Sequence, residues 1–168
     1  MNQAESASAT LGCGLAGEVV RTFGHLRIRV FGTSMVPSIL PGDLISIERA
    51  EVSEISYGDV VLYSRDGRMF AHRVLAHAGS SDEPLLITRG DRLCYNDPPV
   101  SSSELLGRVT AIERADGQGF RPVQPARPSR WERVVVRSLQ MSDLATNFYV
   151  RLIALWPSLF SRRAACRA

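Results

Sequence analysis

The strongest constraint on the fold is a series of short strand-like runs that begins at residue 25. The first run, HLRIRVF over residues 25–31, alternates apolar and basic side chains, the pattern of a half-buried strand. Further runs follow over residues 43–47, 59–63, 69–75, 85–88 and 105–112, separated by turn-forming pairs such as Pro-Gly and Asp-Gly. Short strands with frequent turns predict a mainly β fold, either a coiled barrel or a sandwich of antiparallel strands, rather than βαβ units.

The 168 residues suffice for one core with appendages. Residues 1–24 are small and polar-rich, so we expect a flexible N-terminal arm, with a short helix over residues 14–22. The strand-like runs define one domain over residues 25–115. A linker with room for one more short strand follows over residues 116–130, and residues 131–168 predict a basic amphipathic tail of two short helices, a C-terminal helical extension.

Charge is distributed unevenly along the chain. Residues 1–120 carry 11 Arg against 15 acidic residues, whereas residues 121–168 carry 9 Arg against 2, an excess of +7. Such a tail suits peripheral contact with an anionic membrane surface, although a solubilising role or packing on the β domain fits as well. We expect no nucleic-acid partner. The N-terminus lacks the charged and apolar regions of a signal peptide, which predicts a cytoplasmic or peripherally membrane-associated protein.

Two features of the composition exclude classes of chemistry. The three cysteines, Cys13, Cys94 and Cys166, are far apart and lack metal-ligand spacing, so we expect no disulfide framework, no metal and no cofactor. All twenty basic residues are arginine. The absence of lysine excludes every mechanism that needs a lysine general base or a Schiff base.

Three segments carry side chains suited to nucleophilic catalysis. Ser34 follows the first predicted strand, in the turn sequence GTSMVPSILPGD. His72 interrupts an apolar strand, FAHRVL, and Asp91 and Asp97 lie in the loop of ITRGDRLCYNDPPV. Each signal alone is weak, because turn serines, strand histidines and loop aspartates are usually structural.

Taken together, the order and spacing of these segments resemble the signal peptidase clan of serine peptidases (S24/S26), which includes the LexA-like self-cleaving repressors. The matching boxes are SMVP at 34–37, GDVV at 58–61, HRV at 72–74, the loop from Gly90-Asp91 to Asp97, and LGRV at 106–109. The resemblance covers residues 25–113 and identifies residues 25–115 as a peptidase domain of this kind. Bacterial leader peptidases and the repressors use a lysine base, whereas the endoplasmic-reticulum and archaeal-type branch uses histidine. A chain without lysine is therefore most similar to the histidine branch.

This resemblance implies a role for each polar residue. Ser34 would be the nucleophile and His72 its general base, since an imidazole removes the serine proton near neutral pH. Asp97 first and Asp91 second would orient the imidazole, with Asp91 alternatively organising the loop.

The oxyanion hole departs from the branch. Ser-Gly usually precedes its nucleophile, and here Gly32-Thr33 does, so the side-chain donor two residues before the serine is missing. Losing one such donor costs about 2.7–4 kcal/mol in the transition state. We expect the Ser34 N–H and Thr33 to form the hole, and Met35 and Pro37 to contact substrate.

The resemblance implies a serine endopeptidase that cleaves a leader or signal segment from an extended peptide or protein substrate. One alternative is a LexA-like self-cleaving regulator, with Ala16-Gly17 as the scissile bond. The other is a catalytically silent module that binds an extended peptide by strand addition.

Overall fold

The computed structural model of the protein describes residues 3–115, 119–123 and 151. One helix, α1 (Gln3–Phe23), precedes the strands. The strands are β1 (His25–Arg29), β2 (Leu44–Glu48), β3 (Val60–Arg65), β4 (Arg68–Gly79), β5 (Pro84–Arg89), β6 (Val100–Ser101), β7 (Leu105–Ala115) and β8 (Phe120–Val123), with a 3-10 helix at Val52–Glu54 after β2. The predicted tail, apart from residue 151, lies outside the described residues, as does the predicted linker apart from residues 119–123.

The strands form one antiparallel sheet. Its pairing order is β1-β2-β7-β3-β4-β5-β6, and β8 pairs with β7 beside this path. The predicted mainly β fold of short antiparallel strands is therefore confirmed. Strand β8 falls in the segment where one more short strand was expected.

The sheet buries side chains on both faces, because the first four residues of its central strand β3 are buried and point alternately to the two sides. Val60 and Leu62 join one core cluster, while Val61 and Tyr63 join the other. Val61 pairs directly with His72 of β4, and directly paired residues point to the same face. The histidine therefore lies on the face of the sheet that carries Tyr63.

Helix α1 packs against the sheet, which differs from the loosely ordered arm predicted for residues 1–24. Its buried residues Cys13, Ala16 and Val20 recur at helical spacing and form one apolar stripe. The stripe lies against β1, β4 and β7. The many small side chains read as loop-like in sequence, yet they allow close packing of a helix on a sheet. Among the described residues, no helix is both long and apolar enough to cross a membrane.

Candidate active site

Ser34 lies in a tight turn between β1 and β2. The Val36 N–H donates to the Thr33 carbonyl at 3.2 Å, and the Ile39 N–H donates to the Met35 carbonyl at 3.0 Å. Val36 and Ile39 are fully buried, so their side chains anchor the turn to the core. The anchored turn holds Ser34, itself half-buried, at the surface of the domain.

The His72 ring lies between Ser34 and Asp97. Its Nε2 is 2.9 Å from the Ser34 Oγ, and its Nδ1 is 2.6 Å from an Asp97 carboxylate oxygen. An ionised carboxylate only accepts hydrogen bonds, so Nδ1 carries the proton and donates it. That tautomer leaves Nε2 free to accept the Ser34 hydroxyl proton, the arrangement that general-base activation of a serine requires.

Asp97 follows β5 in the loop that leads to β6. The Thr88 hydroxyl donates to the same carboxylate oxygen at 2.7 Å, and the Asp97 N–H donates to the Thr88 carbonyl at 2.8 Å. Burial raises the pKa of the Asp97 carboxyl, but hydrogen bonds from His72 and Thr88 lower it, and the net pKa is below its ordinary value. The group therefore stays ionised at any pH at which a neutral imidazole acts as a base.

Asp91 binds a different partner from Asp97. Its two carboxylate oxygens each accept a 2.8 Å hydrogen bond from the Arg73 guanidinium, and one also accepts from the Ser38 hydroxyl at 2.5 Å. Arg73 donates in addition to the Gly58 carbonyl at 2.8 Å. Asp91 thus links the turn that carries Ser34 to strand β4. Of the two predicted aspartates, the one within hydrogen-bonding distance of the His72 ring is Asp97.

Breaking the Arg73–Asp91 pair should destabilise the whole domain. Both side chains are at most 7% exposed, and removing one partner leaves a buried unpaired charge. We expect Asp91→Asn or Arg73→Met to lower the free energy of unfolding by about 3–5 kcal/mol. Urea unfolding would measure this loss. Glu18→Gln breaks the exposed Arg21–Glu18 pair and serves as the control, with an expected change of at most about 1 kcal/mol. A stable Asp91→Asn protein without activity would instead assign Asp91 to the chemistry.

The loop that carries both aspartates also hydrogen-bonds to the turn that carries Ser34. The Arg92 N–H donates to the Ser34 carbonyl at 2.8 Å, and the Arg92 guanidinium donates to the Thr33 hydroxyl at 3.2 Å. A Cβ added to Gly90 would lie 2.8 Å from the Ser34 carbonyl oxygen, closer than such atoms approach. Glycine at position 90 therefore lets the two loops meet. The predicted oxyanion residues, Ser34 and Thr33, lie at this junction.

The two predicted substrate-binding residues differ in accessibility. Met35 is 2% exposed and packs in a core cluster with Ile39 and Ile45, so it supports the turn from inside. A contact between Met35 and substrate would require that side chain to move. Pro37, which follows a cis peptide bond, is half-buried, so part of its surface is accessible.

Among the described residues, no three His, Cys, Asp or Glu side chains lie close enough together to hold a metal ion. Cys13 is a buried free thiol and Cys94 an exposed one, while Cys166 lies outside the described residues.

Two residues near the site, Tyr63 and Thr88, were not singled out from the sequence, and Gly90 was named there only as part of a motif. Tyr63 did carry a signal, since a hydroxyl in a strand buried on both faces needs a hydrogen-bond partner. The importance of Thr88 and Gly90 depends on loop geometry that no local pattern encodes.

Comparison with known proteins gives this arrangement a context. The family model described as Peptidase S24-like matches residues 13–110. Two curated proteins, both described as signal peptidase complex catalytic subunit SEC11, match over 70 residues. The protein from Scheffersomyces stipitis is 36% identical over 40% of this chain and 42% of its own length. The protein from Yarrowia lipolytica is 34% identical over 40% of each.

The chain thus spans about two fifths of the length of these relatives. Their similarity confirms the predicted resemblance to the signal peptidase clan and to its endoplasmic-reticulum-type branch. Since the family match extends over more than half of the residues, the chain belongs to the Peptidase S24-like family.

Proposed function

We propose that the protein is a serine endopeptidase in which Ser34 is the nucleophile, His72 the general base and Asp97 the carboxylate that orients His72. The observation that supports this most strongly is the unbroken hydrogen-bonded series from the Ser34 Oγ through the His72 ring to Asp97, at 2.9 and 2.6 Å. A serine with a purely structural role needs no buried imidazole beside it that is held in turn by a carboxylate.

In the proposed reaction, the Ser34 Oγ attacks the carbonyl carbon of the scissile bond while His72 Nε2 takes the hydroxyl proton. The resulting imidazolium is stabilised by the Asp97 carboxylate, which stays ionised. His72 then gives the proton to the leaving amine, and an acyl-enzyme remains on Ser34. Water, activated by the same nitrogen, hydrolyses that ester and restores the hydroxyl. The Ser34 N–H, with Thr33, is our proposed donor set for the oxyanion.

We propose a leader or signal segment as the substrate, in line with the described role of the two yeast relatives in a signal peptidase complex. The position of β1 supports an extended substrate, because β1 is an edge strand of the sheet and leads directly to the turn that carries Ser34. Contact of the basic tail with an anionic lipid surface remains a further part of the proposal.

Self-cleavage at Ala16-Gly17 is less well supported. Both residues are buried in α1, whereas a protease active site takes its substrate as an extended chain. Cleavage there would require the helix to leave the sheet and unwind.

The products cut from a peptide library provide the test of this function. Side chains alternate along an added strand, so the residues one and three positions before the cut should point to the same side, into the pockets of the site. We expect small residues such as alanine at both positions, as the resemblance to signal peptidases implies. Mass spectrometry of the products would identify the cuts, with the Ser34→Ala variant as the blank. A preference for basic or large aromatic residues directly before the cut would contradict the proposed substrate class.

A further inference from the structure

The Asp97 carboxylate is held by more groups than the His72 ring alone. The Thr88 hydroxyl donates to the oxygen that accepts from His72, at 2.7 Å, and Thr88 is fully buried. The main chains of the two residues are also joined, through the Asp97 N–H and the Thr88 carbonyl at 2.8 Å. A buried threonine hydroxyl directed at a carboxylate restricts the direction in which that carboxylate points.

Tyr63 approaches the same group from strand β3. Its hydroxyl oxygen lies 3.5 Å from His72 Nδ1, and interactions with the Asp97 and Thr88 side chains affect the pKa of the phenol. Because Nδ1 carries a proton that is directed at Asp97, it cannot accept the Tyr63 proton, and the Asp97 carboxylate is the acceptor that we infer for that proton. Burial and the Asp97 charge raise the pKa of Tyr63 to about 12. The phenol therefore remains a donor throughout the neutral range.

Surrounding contacts keep Tyr63 and the Asp97 loop in place. The Tyr63 ring is 2% exposed and stacks on Phe70 with the ring centroids 5.4 Å apart. Two residues along β3, the Arg65 guanidinium binds the Pro98 and Pro99 carbonyls and the Glu104 carboxylate. The hydrogen bond from Arg65 lowers the pKa of Glu104 to about 2, so this pair stays charged. The segment directly after Asp97 is thus tied to the strand that carries Tyr63.

We propose that Tyr63 and Thr88 are positioning residues that hold the Asp97 carboxylate in the single orientation that fixes the His72 tautomer. This inference rests on the proposed function, because the tautomer matters only if His72 acts as a base. Neither residue is proposed to act on the scissile bond. Both act by holding Asp97, and Tyr63 also contacts the His72 ring directly.

Isosteric variants of the full chain test this role. Thr88→Val and Tyr63→Phe each remove one hydroxyl and little else, and each should lower kcat roughly 10- to 100-fold with KM nearly unchanged. Thr88→Ser restores the hydroxyl and should recover most of the rate. Thr110→Val, at an exposed position on β7, is the matched control and should leave kcat unaltered. If Thr88→Val fails to fold by circular dichroism, Tyr63→Phe carries the kinetic test.

A measurement independent of turnover separates this inference from the proposed function. Nitrogen-15 NMR of the imidazole should show His72 as the Nδ1–H tautomer in the wild type, with a strongly downfield proton. In Thr88→Val and Tyr63→Phe the tautomers should mix and that resonance should broaden or move upfield. An unchanged resonance together with unchanged kcat would overturn the inference even if the protein is an active peptidase. A shifted tautomer in a protein without peptidase activity would uphold the positioning of His72 and refute the proposed function.

Discussion

Replacing Ser34 by alanine should reduce peptide hydrolysis by about 10⁴-fold or more, because the acyl-enzyme can no longer form. The fold should survive. The substitution removes one half-buried hydroxyl and its hydrogen bond to His72, a loss of about 1 kcal/mol in the free energy of unfolding. Single-turnover kinetics on a peptide substrate and urea unfolding would measure the two effects separately.

Ser102→Ala is the matched control for this variant, since Ser102 is an exposed serine on the loop before β7. Its activity and stability should equal those of the wild type. Hydrolysis by purified Ser34→Ala at more than a few per cent of the wild-type rate would show that another residue is the nucleophile.

Replacing His72 by glutamine should lower kcat by several orders of magnitude, because glutamine cannot accept the Ser34 proton. Asp97→Asn should cost somewhat less, up to about 10⁴-fold, because an amide no longer fixes the imidazole tautomer. Both losses should appear in kcat at saturating substrate.

The pH dependence of kcat/KM has a predicted direction. Activity should fall as the pH is lowered, because an imidazolium cannot accept a proton. The pKa of Asp97 is lower in the folded protein than in the unfolded chain. The stabilisation that the ionised Asp97 carboxylate provides is therefore complete above the unfolded pKa and is lost only as the pH falls through the lower folded pKa. On the acid side, the plot of log(kcat/KM) against pH should therefore follow one ionisation and have a slope of one.

His25→Gln provides the control for the histidine variants. The His25 ring is exposed, and its Nδ1 lies 3.0 Å from the Phe23 carbonyl, in the turn before β1. This variant should keep both the wild-type rate and the wild-type pH profile. A His72→Gln protein with near-normal activity, or a flat profile across the neutral range, would rule out His72 as the base.

The strands were predictable from local patterns because the alternation of their side chains directly reflects which face of the sheet each residue lies on. The alternation in HLRIRVF and the apolar run that precedes Arg65 correspond to an edge strand and a central strand, and the turns fall at Pro-Gly and Asp-Gly pairs. Helix α1 was harder to predict because its small residues are compatible with both a helix and a loop. Its stability comes from packing on the sheet, which is a tertiary effect.

The order of serine, histidine and aspartate was also accessible from sequence, through the resemblance of their boxes to a known clan. The resemblance ranked Asp97 before Asp91 but did not decide between them, because the two residues lie in one loop six residues apart. The choice depends on Arg73, the residue after His72 on β4, because its guanidinium binds Asp91. The burial of Met35 was likewise not predictable from the sequence, since it depends on how the turn packs on the core.

The central claim is that Ser34 is a nucleophile activated by His72, and covalent labelling tests it most directly. Wild-type protein incubated with a serine-directed acylating reagent should gain a single adduct by intact-mass analysis, and peptide mapping should locate it on Ser34. The adduct should be absent in Ser34→Ala and form far more slowly in His72→Gln. A folded wild-type protein that gains no adduct, or an adduct on another serine that persists in Ser34→Ala, would contradict the account.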